Sequence, residues 1–231
     1  MANRYISQAL ADLSQDIAGA VPVDIVKKWI EGDGSELEAG KALDPYRVTG
    51  TVVSTDASGL SKLSREKDLL DVLKLVSDPK EIIYGCGRAV GGNGLGRWVA
   101  DNTEMFYDGA IPVPEVVNAM VQANDTITNE CGVLVGFGIH CGTFLNIGGG
   151  MYGKDADFVE TVAENNAAGD EILVSESVAK RIAGDNTFVV QEATELRGHQ
   201  EPVFRVKGGI NGPVLEVTDR DYPICFDRKF F

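Results

Sequence analysis

Two apolar stretches, each followed by a segment with helical spacing, set the architecture of this sequence. Residues 47–54 predict a strand, and CGVLVGFGIHCGTFLNIGGG at 131–150 predicts an apolar strand that ends in glycines. The segments at 60–78 and 155–168 follow them with the spacing of helices. Strands that alternate with helices indicate a domain in which helices pack on a sheet.

Several further elements are predicted inside this region. Six glycines lie in GCGRAVGGNGLG at 85–96, and RWVADNTEMFYD predicts a β-hairpin that turns near Asp101 and Asn102. We expect a helix at 113–125, a strand at 171–174, a helix at 175–184 and two closing strands, TFVVQEATEL and PVFRVKG. On the helix at 60–78 the predicted buried side is made of Leu69, Leu70, Val72, Leu73 and Val76.

The regions outside this domain have a different character. Residues 3–31 predict two helices, and EGDGSELEAGKALDP at 31–45 predicts a linker because it is rich in glycine and charge. We therefore expect three parts: an N-terminal helical extension at 1–45, a central domain at 46–207 and a C-terminal tail at 208–231.

Composition excludes several classes of function. The formal net charge of −14 disfavours nucleic acid and anionic membranes as partners, and no apolar run is long enough for a membrane span. Four cysteines without a CxxC pair suggest reduced thiols, so we expect a cytoplasmic protein. Only two histidines are present, which excludes a His-rich metal site.

Two aspartates are the candidate metal ligands. The TVVSTDASGL stretch predicts a strand that runs into a turn carrying Asp56 and Gly59, and Asp101 lies at a second turn. Carboxylates that converge from neighbouring strands suit a hard divalent cation such as Mg²⁺ or Mn²⁺. Small residues at Ser58 and Gly59 leave room for backbone N–H groups to approach phosphate oxygens. The alternative is that each aspartate caps its own turn.

The order of four motifs resembles the catalytic domain of class III adenylate and guanylate cyclases, over residues 46–207. The four segments are STDASGLSKL, GRWVADNTEMF, VLVGFGIHCG, and GDEILVSESVAKRI followed by TELRGHQEPVFRV. The resemblance implies an α+β fold: a ferredoxin-like βαββαβ sandwich with a mainly antiparallel sheet. It also implies a nucleoside triphosphate as substrate and a homo-oligomer, usually a head-to-tail dimer.

The same resemblance assigns roles residue by residue. Asp56 and Asp101 match the two metal ligands, Arg97 falls where purine-specific members read the base, and Arg197 falls where the family contacts the triphosphate. The alternative for Arg97 is a solvated cation at a strand edge. His140 is interpreted as a packed strand residue and the neighbouring Cys141 as a core residue.

The sequence departs from the family at three places. The family stabilises its transition state with an Asn and an Arg, four residues apart on one helix. Counting from Gly153 puts Asp157 and Thr161 there, and counting from Gly169 puts Glu160 and Glu164 there. Gly150 stands where the family has an acidic or hydroxyl residue that selects the base. Only eleven positions separate Gly142 from Gly153, where the family usually has a longer β-arm that clasps the partner subunit.

Two functions therefore stay open from the sequence. The first is a divergent nucleotide cyclase, slow because losing such a cation costs on the order of 10²–10³ in rate. The second is a cyclase-like module that binds metal and nucleotide, or mediates assembly, without turnover. The intact aspartates favour the first, and the missing Asn and Arg favour the second. No catalytic residue is assigned.

Overall fold

The computed structural model describes residues 22–32, 35–95, 102–193 and 201–208. The strands are β1 (Arg47–Ser58), β2 (Asn93–Leu95), β3 (Thr103–Asp108), β4 (Leu134–Ile147), β5 (Gly150–Tyr152), β6 (Ile172–Ser175), β7 (Phe188–Ala193) and β8 (Val203–Gly208). The α-helices are α1 (Val23–Glu31), α2 (Glu36–Leu43), α3 (Leu60–Glu66), α4 (Leu69–Ala89), α5 (Val113–Glu130), α6 (Lys154–Thr161) and α7 (Glu176–Ile182). A 3₁₀ turn (Asp44–Tyr46) precedes β1, and a π-helical turn (Val162–Asn166) continues α6.

The eight strands of the described residues belong to one sheet, in the order β2-β3-β1-β4-β6-β8-β7, with β5 paired to β4. The strand pairs are antiparallel except for β4 with β6, which run parallel. The two apolar strands of the sequence prediction, β1 and β4, are direct neighbours joined along twelve residue pairs. The expected α+β fold, with helices on a mainly antiparallel sheet, is confirmed.

Successive residues of β1 serve opposite faces of the sheet, as the strand period of two requires. Val53 packs in the large core beneath α4 and α5, together with Met105, Tyr107 and Phe137. Its neighbour Val52 packs in a second core on the other face, whose further members are Phe106, Phe144, Met151, Ala156 and Val159. Helix α6 contributes Ala156 and Val159, so α6 covers that second face.

Helix α4 differs from its prediction in two ways. The predicted helix ends at residue 78, whereas α4 continues to Ala89 and includes Gly85 and Gly87 of the glycine-rich segment. A Cβ on Gly87 would lie 2.6 Å from the Tyr107 hydroxyl oxygen, which explains why a glycine is needed where the helix meets β3. Its first half is also more exposed than predicted: Leu69 is 72%, Leu70 62% and Leu73 44% exposed.

The physical reason for this exposure is length. A helix of 21 residues is about 31 Å long. The buried residues of α4 all lie from Pro79 onwards, where the helix crosses the sheet. The first half of α4 extends past the sheet, so its leucines are exposed to solvent.

The segment before the sheet is helical where a linker was expected. Helix α1 confirms the second predicted N-terminal helix, but α2 occupies residues 36–43 of the predicted linker. The Tyr46 hydroxyl donates a 2.7 Å hydrogen bond to Oδ2 of Asp24, which ties α1 to the 3₁₀ turn. The predicted helix before residue 22 and the tail after residue 208 lie outside the described residues. Within the described ranges, no helix has both the length and the apolar character needed to cross a membrane.

Candidate functional site

Asp56 lies inside β1 and not in the turn after it, which corrects the sequence prediction. The strand continues to Ser58 because β4 pairs with it as far as Leu134. Asp56 stands opposite Gly136 of β4 and is half-buried. By alternation from Val52, the Asp56 side chain projects on the face that α6 covers.

The start of β3 lies beside Asp56. The last printed pair of the β1–β3 ladder joins Thr55 to Thr103. The Thr55 hydroxyl accepts a hydrogen bond from the Thr103 N–H at 3.2 Å and contacts the Thr103 carbonyl at 3.3 Å. These contacts fix the beginning of β3 against the end of β1. Asp101, the second predicted metal ligand, is two residues before Thr103 but lies outside the described residues, as do Arg97 and Arg197.

Carboxylates of β3 and α6 surround this end of the sheet. Burial and, to a smaller extent, the nearby charge of Glu160 raise the pKa of Glu104 on β3 to about 7. The pKa of Glu160 is raised by burial, and then by the charges of Glu164 and Asp157. Glu160 therefore lies near three other acids, Glu104, Glu164 and Asp157, and this part of the site is acidic.

Helix α6 is the helix on which the resemblance places an Asn and an Arg. It begins after Gly153, directly behind the β4–β5 hairpin, so counting from Gly153 gives Asp157 and Thr161. The Thr161 hydroxyl donates a 2.7 Å hydrogen bond to the Asp157 carbonyl of its own helix. Neither side chain is cationic, since Asp157 is acidic and Thr161 is neutral. Counting from Gly169 gives Glu160 and Glu164, which are also acidic.

The π-helical turn brings a residue of this helix to β3. The Nδ2 group of Asn102 donates a 2.7 Å hydrogen bond to Oε1 of Glu164, 62 positions later in the chain. Sequence reasoning missed Asn102, Glu104 and the clustering of Glu160 with Glu164. The alternation of β3 could have found the first two, because Asn102 and Glu104 share a face once β3 is paired with β1.

Ser58 and Gly59 have different surroundings. A Cβ on Gly169 would lie 3.0 Å from the Ser58 Oγ, so this hydroxyl is covered by the chain that follows the π-helical turn. Gly59 has φ of 75°, and a Cβ built on it would meet no atom within 4 Å. The turn at Gly59 is therefore open, and its backbone is accessible to a ligand.

His140 and Cys141 are packed residues, as the sequence interpretation had them. The His140 ring meets the rings of Phe158 and Phe144 edge to face, at centroid distances of 4.9 and 6.1 Å. Burial lowers the pKa of His140 and raises the pKa of the Cys141 thiol. Both side chains are buried and the thiol is held protonated, so neither is placed to act on a substrate.

The described residues do not by themselves form a metal site. No group of three or more His, Cys, Asp or Glu residues within the described ranges is arranged to hold a metal ion. Asp56 offers the oxygen chemistry that a hard divalent cation prefers, and Asp101 would have to complete the pair.

Comparisons with solved structures identify the fold. The adenylyl cyclase CyaB from P. aeruginosa matches with a TM-score of 0.63 and 14% identity, over 73% of this chain and 98% of that chain. The guanylate cyclase domain of RhGC from Catenaria anguillulae, in complex with GTP, matches with a TM-score of 0.61 and 15% identity, over 71% and 98%. A non-canonical dimeric guanylyl cyclase domain of RhoGC from Blastocladiella emersonii matches with a TM-score of 0.60 and 16% identity, over 70% and 98%.

These matches show that the chain has a class III nucleotide cyclase-like fold. No family model matches the sequence, and no curated protein matches it either. At 14–16% identity the likeness is one of fold.

Proposed function

We propose that this chain is a divergent nucleotide cyclase that converts a nucleoside triphosphate to a cyclic nucleotide and pyrophosphate, with slow turnover. The observation that carries the proposal is the position of Asp56: an acid near the C-terminal end of β1, beside the start of β3, the strand that follows Asp101 in the sequence. Two carboxylates at the neighbouring ends of β1 and β3 would suit a pair of Mg²⁺ or Mn²⁺ ions.

The reaction requires few groups from the protein. The 3′-hydroxyl oxygen of the ribose attacks the α-phosphorus, the bond to the β-phosphate oxygen breaks, and pyrophosphate leaves with that electron pair while the hydroxyl proton passes to solvent. When bound, the metal ions would neutralise the phosphate charge and favour the alkoxide. Asp56 and Asp101 would hold the ions.

Other residues would bind the substrate. Arg197 would contact the triphosphate, since a guanidinium offers two parallel donors to phosphate oxygens. Arg97 would read the base. The open backbone at Gly59, with Ser58 before it, would approach the phosphates. A homo-oligomer is part of the same proposal. The β4–β5 hairpin, which lies where the family has its dimer arm, is short: Ile147 pairs directly with Gly150 across the turn.

The acidic residues of α6 and of the π-helical turn are the reason to expect slow turnover. A cation that meets the developing phosphate charge contributes on the order of 10²–10³ in rate. Asp157, Glu160 and Glu164 offer negative charge instead. The same observation favours a second function, a module that binds metal and nucleotide without turnover.

Binding of metal and triphosphate tests the part that both functions share. We expect a triphosphate to bind more tightly with Mn²⁺ than without it in calorimetric titrations, and we expect Asp56→Asn to remove that difference. Arg197→Ala should weaken binding of the triphosphate more than binding of the nucleoside. Equal triphosphate affinity with and without Mn²⁺ in the unaltered protein would contradict the proposal.

A further inference from the structure

We propose that the contact between β4 and the start of α6 is a pH-sensitive switch, in which protonation of His140 releases Asp155 and the first turn of α6 from the strand. The switch consists of His140 on β4 and of Asp155 and Phe158 on α6. It is independent of the proposed function, because it involves neither a metal ion nor a nucleotide.

The first step in the argument is that α6 itself covers His140. The ring of Phe158 lies edge to face against the imidazole at a centroid distance of 4.9 Å, and the ring of Phe144 on β4 lies at 6.1 Å. His140 is 7% exposed and Phe158 5%. Because Phe158 forms part of this cover, moving the start of α6 away from β4 would expose the imidazole to water.

The second step is that the covered position suits only a neutral ring. Both ring nitrogens of His140 are buried, without a hydrogen-bond partner in the part of the chain that the structure describes. Nε2 lies 3.6 Å from Oδ1 of Asp155, which is too long for a hydrogen bond. An imidazolium has a donor on each nitrogen and a charge to satisfy, so it costs more to bury here than the neutral ring.

The third step is that Asp155 attaches the same turn to the strand. Its Oδ2 accepts a 2.7 Å hydrogen bond from the Thr143 N–H. Gly142 leaves room for this arrangement, since a Cβ there would collide with the Asp155 carboxylate and would lie 2.8 Å from Nε2 of His140. Gly153, which precedes α6, provides no side-chain cap. The hydrogen bond to Asp155 thus ties the first turn of α6 to β4 directly beside the imidazole.

The charges near His140 oppose the effect of burial without cancelling it. Burial lowers the pKa of His140, whereas the charges of Asp155 on α6 and of Glu201, before β8, act to raise it. Arg181 of α7 acts instead on Cys141, whose side chain belongs to the core on the other face of the sheet. The closed contact therefore favours the neutral imidazole.

Acidification consequently favours the open form of the switch. In the open form the imidazole has its ordinary pKa of about 6.5, which is higher than its pKa in the closed form. Below that pH the open form binds a proton that the closed form does not. If the closed form stays neutral, the opening equilibrium rises by about 30-fold between pH 8 and pH 5, which is the upper limit for one histidine.

The opening concerns the start of α6 and not the whole helix. Val159 and Val162 are 0% and 1% exposed and belong to two separate cores, so they anchor the later part of the segment. Asp157 lies in the first turn together with Asp155, and its charge acts on Glu160. Opening at low pH would therefore displace an acid that borders the candidate site.

Amide hydrogen exchange of the full chain, followed by NMR between pH 5 and pH 8, tests the switch. Each rate is divided by the intrinsic exchange rate at the same pH to give an opening constant. The Thr143 N–H reports the contact directly, because it is bonded to Asp155. The N–H of Met120, a fully buried residue of α5, reports unfolding of the whole domain. We expect the Thr143 opening constant to exceed that of Met120 and to rise by about 10-fold or more from pH 8 to pH 5.

Three variants identify the group that takes up the proton. His140→Gln should keep the Thr143 opening constant within about twofold over the same pH interval. Asp155→Asn keeps an acceptor for the Thr143 N–H but removes the charge that favours the imidazolium, so the rise should approach the 30-fold limit. His199→Gln removes the other histidine of the sequence and should leave the rise unchanged.

A measurement on the unaltered protein needs no variant. The imidazole resonances of His140 should titrate below pH 6.5 in the folded protein, because burial lowers the pKa. Titration above 6.5 would mean that the closed contact prefers the imidazolium, and the switch would then be wrong in sign.

Three exchange results would overturn the proposal. A Thr143 opening constant that stays the same from pH 8 to pH 5 would show that the contact does not respond to protonation. The same rise in His140→Gln as in the unaltered protein would assign the response to another group. Equal opening constants for Thr143 and Met120 would show that the contact breaks only when the whole domain unfolds.

Discussion

Nε2 of His140 lies 3.6 Å from Oδ1 of Asp155, across the contact between β4 and the first turn of α6. His140 is buried, and neither of its ring nitrogens has a hydrogen-bond partner among the residues that the structure describes. Oδ2 of the same aspartate accepts a 2.7 Å hydrogen bond from the Thr143 N–H. Asp155 therefore holds the start of α6 on β4, beside a buried neutral imidazole.

Acidification should destabilise the protein through His140. Burial lowers the pKa of His140, while the charges of Asp155 and Glu201 oppose that shift. As pH falls through the ordinary histidine value of about 6.5, the unfolded chain binds a proton that the folded chain does not. The unfolding free energy should then fall, by at most about 1.4 kcal/mol per pH unit for one proton.

Urea unfolding between pH 7 and pH 5 measures this effect. The fall on acidification should be smaller in His140→Gln, which cannot take up the proton. Asp155→Asn should lower the His140 pKa further in an NMR titration. A His140 pKa that rises above 6.5 in the folded protein would refute the assignment.

Glu104 should produce the opposite pH dependence. Its pKa is raised to about 7, so between about 4.5 and 7 the folded protein retains a proton that the unfolded chain has lost. The unfolding free energy should fall as pH rises through this interval, by at most about 3 kcal/mol. Glu104→Gln should remove that fall, and urea unfolding at pH 5 and pH 8 would measure it. The same slope in both proteins would show that Glu104 ionises normally.

The two halves of α4 should differ in their contribution to stability. Leu70 is 62% exposed, whereas Ile83 on the same helix is 1% exposed. Leu70→Ala should change the unfolding free energy by no more than about 0.5 kcal/mol, and Ile83→Ala should cost about 2–5 kcal/mol. Thermal or urea unfolding of the two variants provides the comparison. A large loss in Leu70→Ala would mean that this leucine is covered in solution.

The sheet was predictable because its strands carry local signals. The alternation and apolar runs of β1 and β4 identify them without tertiary information, and Asp56 became a candidate metal ligand because it follows such a run. Its place within the strand was not predictable, since pairing with Gly136 of β4 extends β1 beyond its apolar part.

Other features depend on contacts between distant segments. Periodicity marks the leucines at 69, 70 and 73 as a helix face, but only the packing shows which half of α4 crosses the sheet. The glycine-rich segment at 85–96 gave no helical signal because glycine disfavours helices, whereas at Gly87 the close approach of Tyr107 leaves no room for a Cβ. The hydrogen bond between Asn102 and Glu164 joins residues 62 positions apart, and no local sequence pattern predicts the π-helical turn that carries Glu164.

Restoring the missing pair on α6 should raise the rate of cyclisation. In Asp157→Asn with Thr161→Arg, one repulsive charge is removed and a cation is placed where the resemblance expects it. We predict a rate increase of about 10-fold or more, given what such cations contribute. The matched control, Asp157→Asn with Thr161→Gln, lacks the cation and should gain less. Equal rates in both variants would show that position 161 does not meet the transition state.

Formation of a cyclic nucleotide by the unaltered chain tests the central claim most directly. The protein is incubated with Mn²⁺ and each of the four nucleoside triphosphates, and cyclic product and pyrophosphate are measured together. We predict slow, Mn²⁺-dependent formation of both in equal amounts from at least one triphosphate, abolished by Asp56→Asn. Triphosphate binding without any cyclic product, or product formation that persists in Asp56→Asn, would contradict the account.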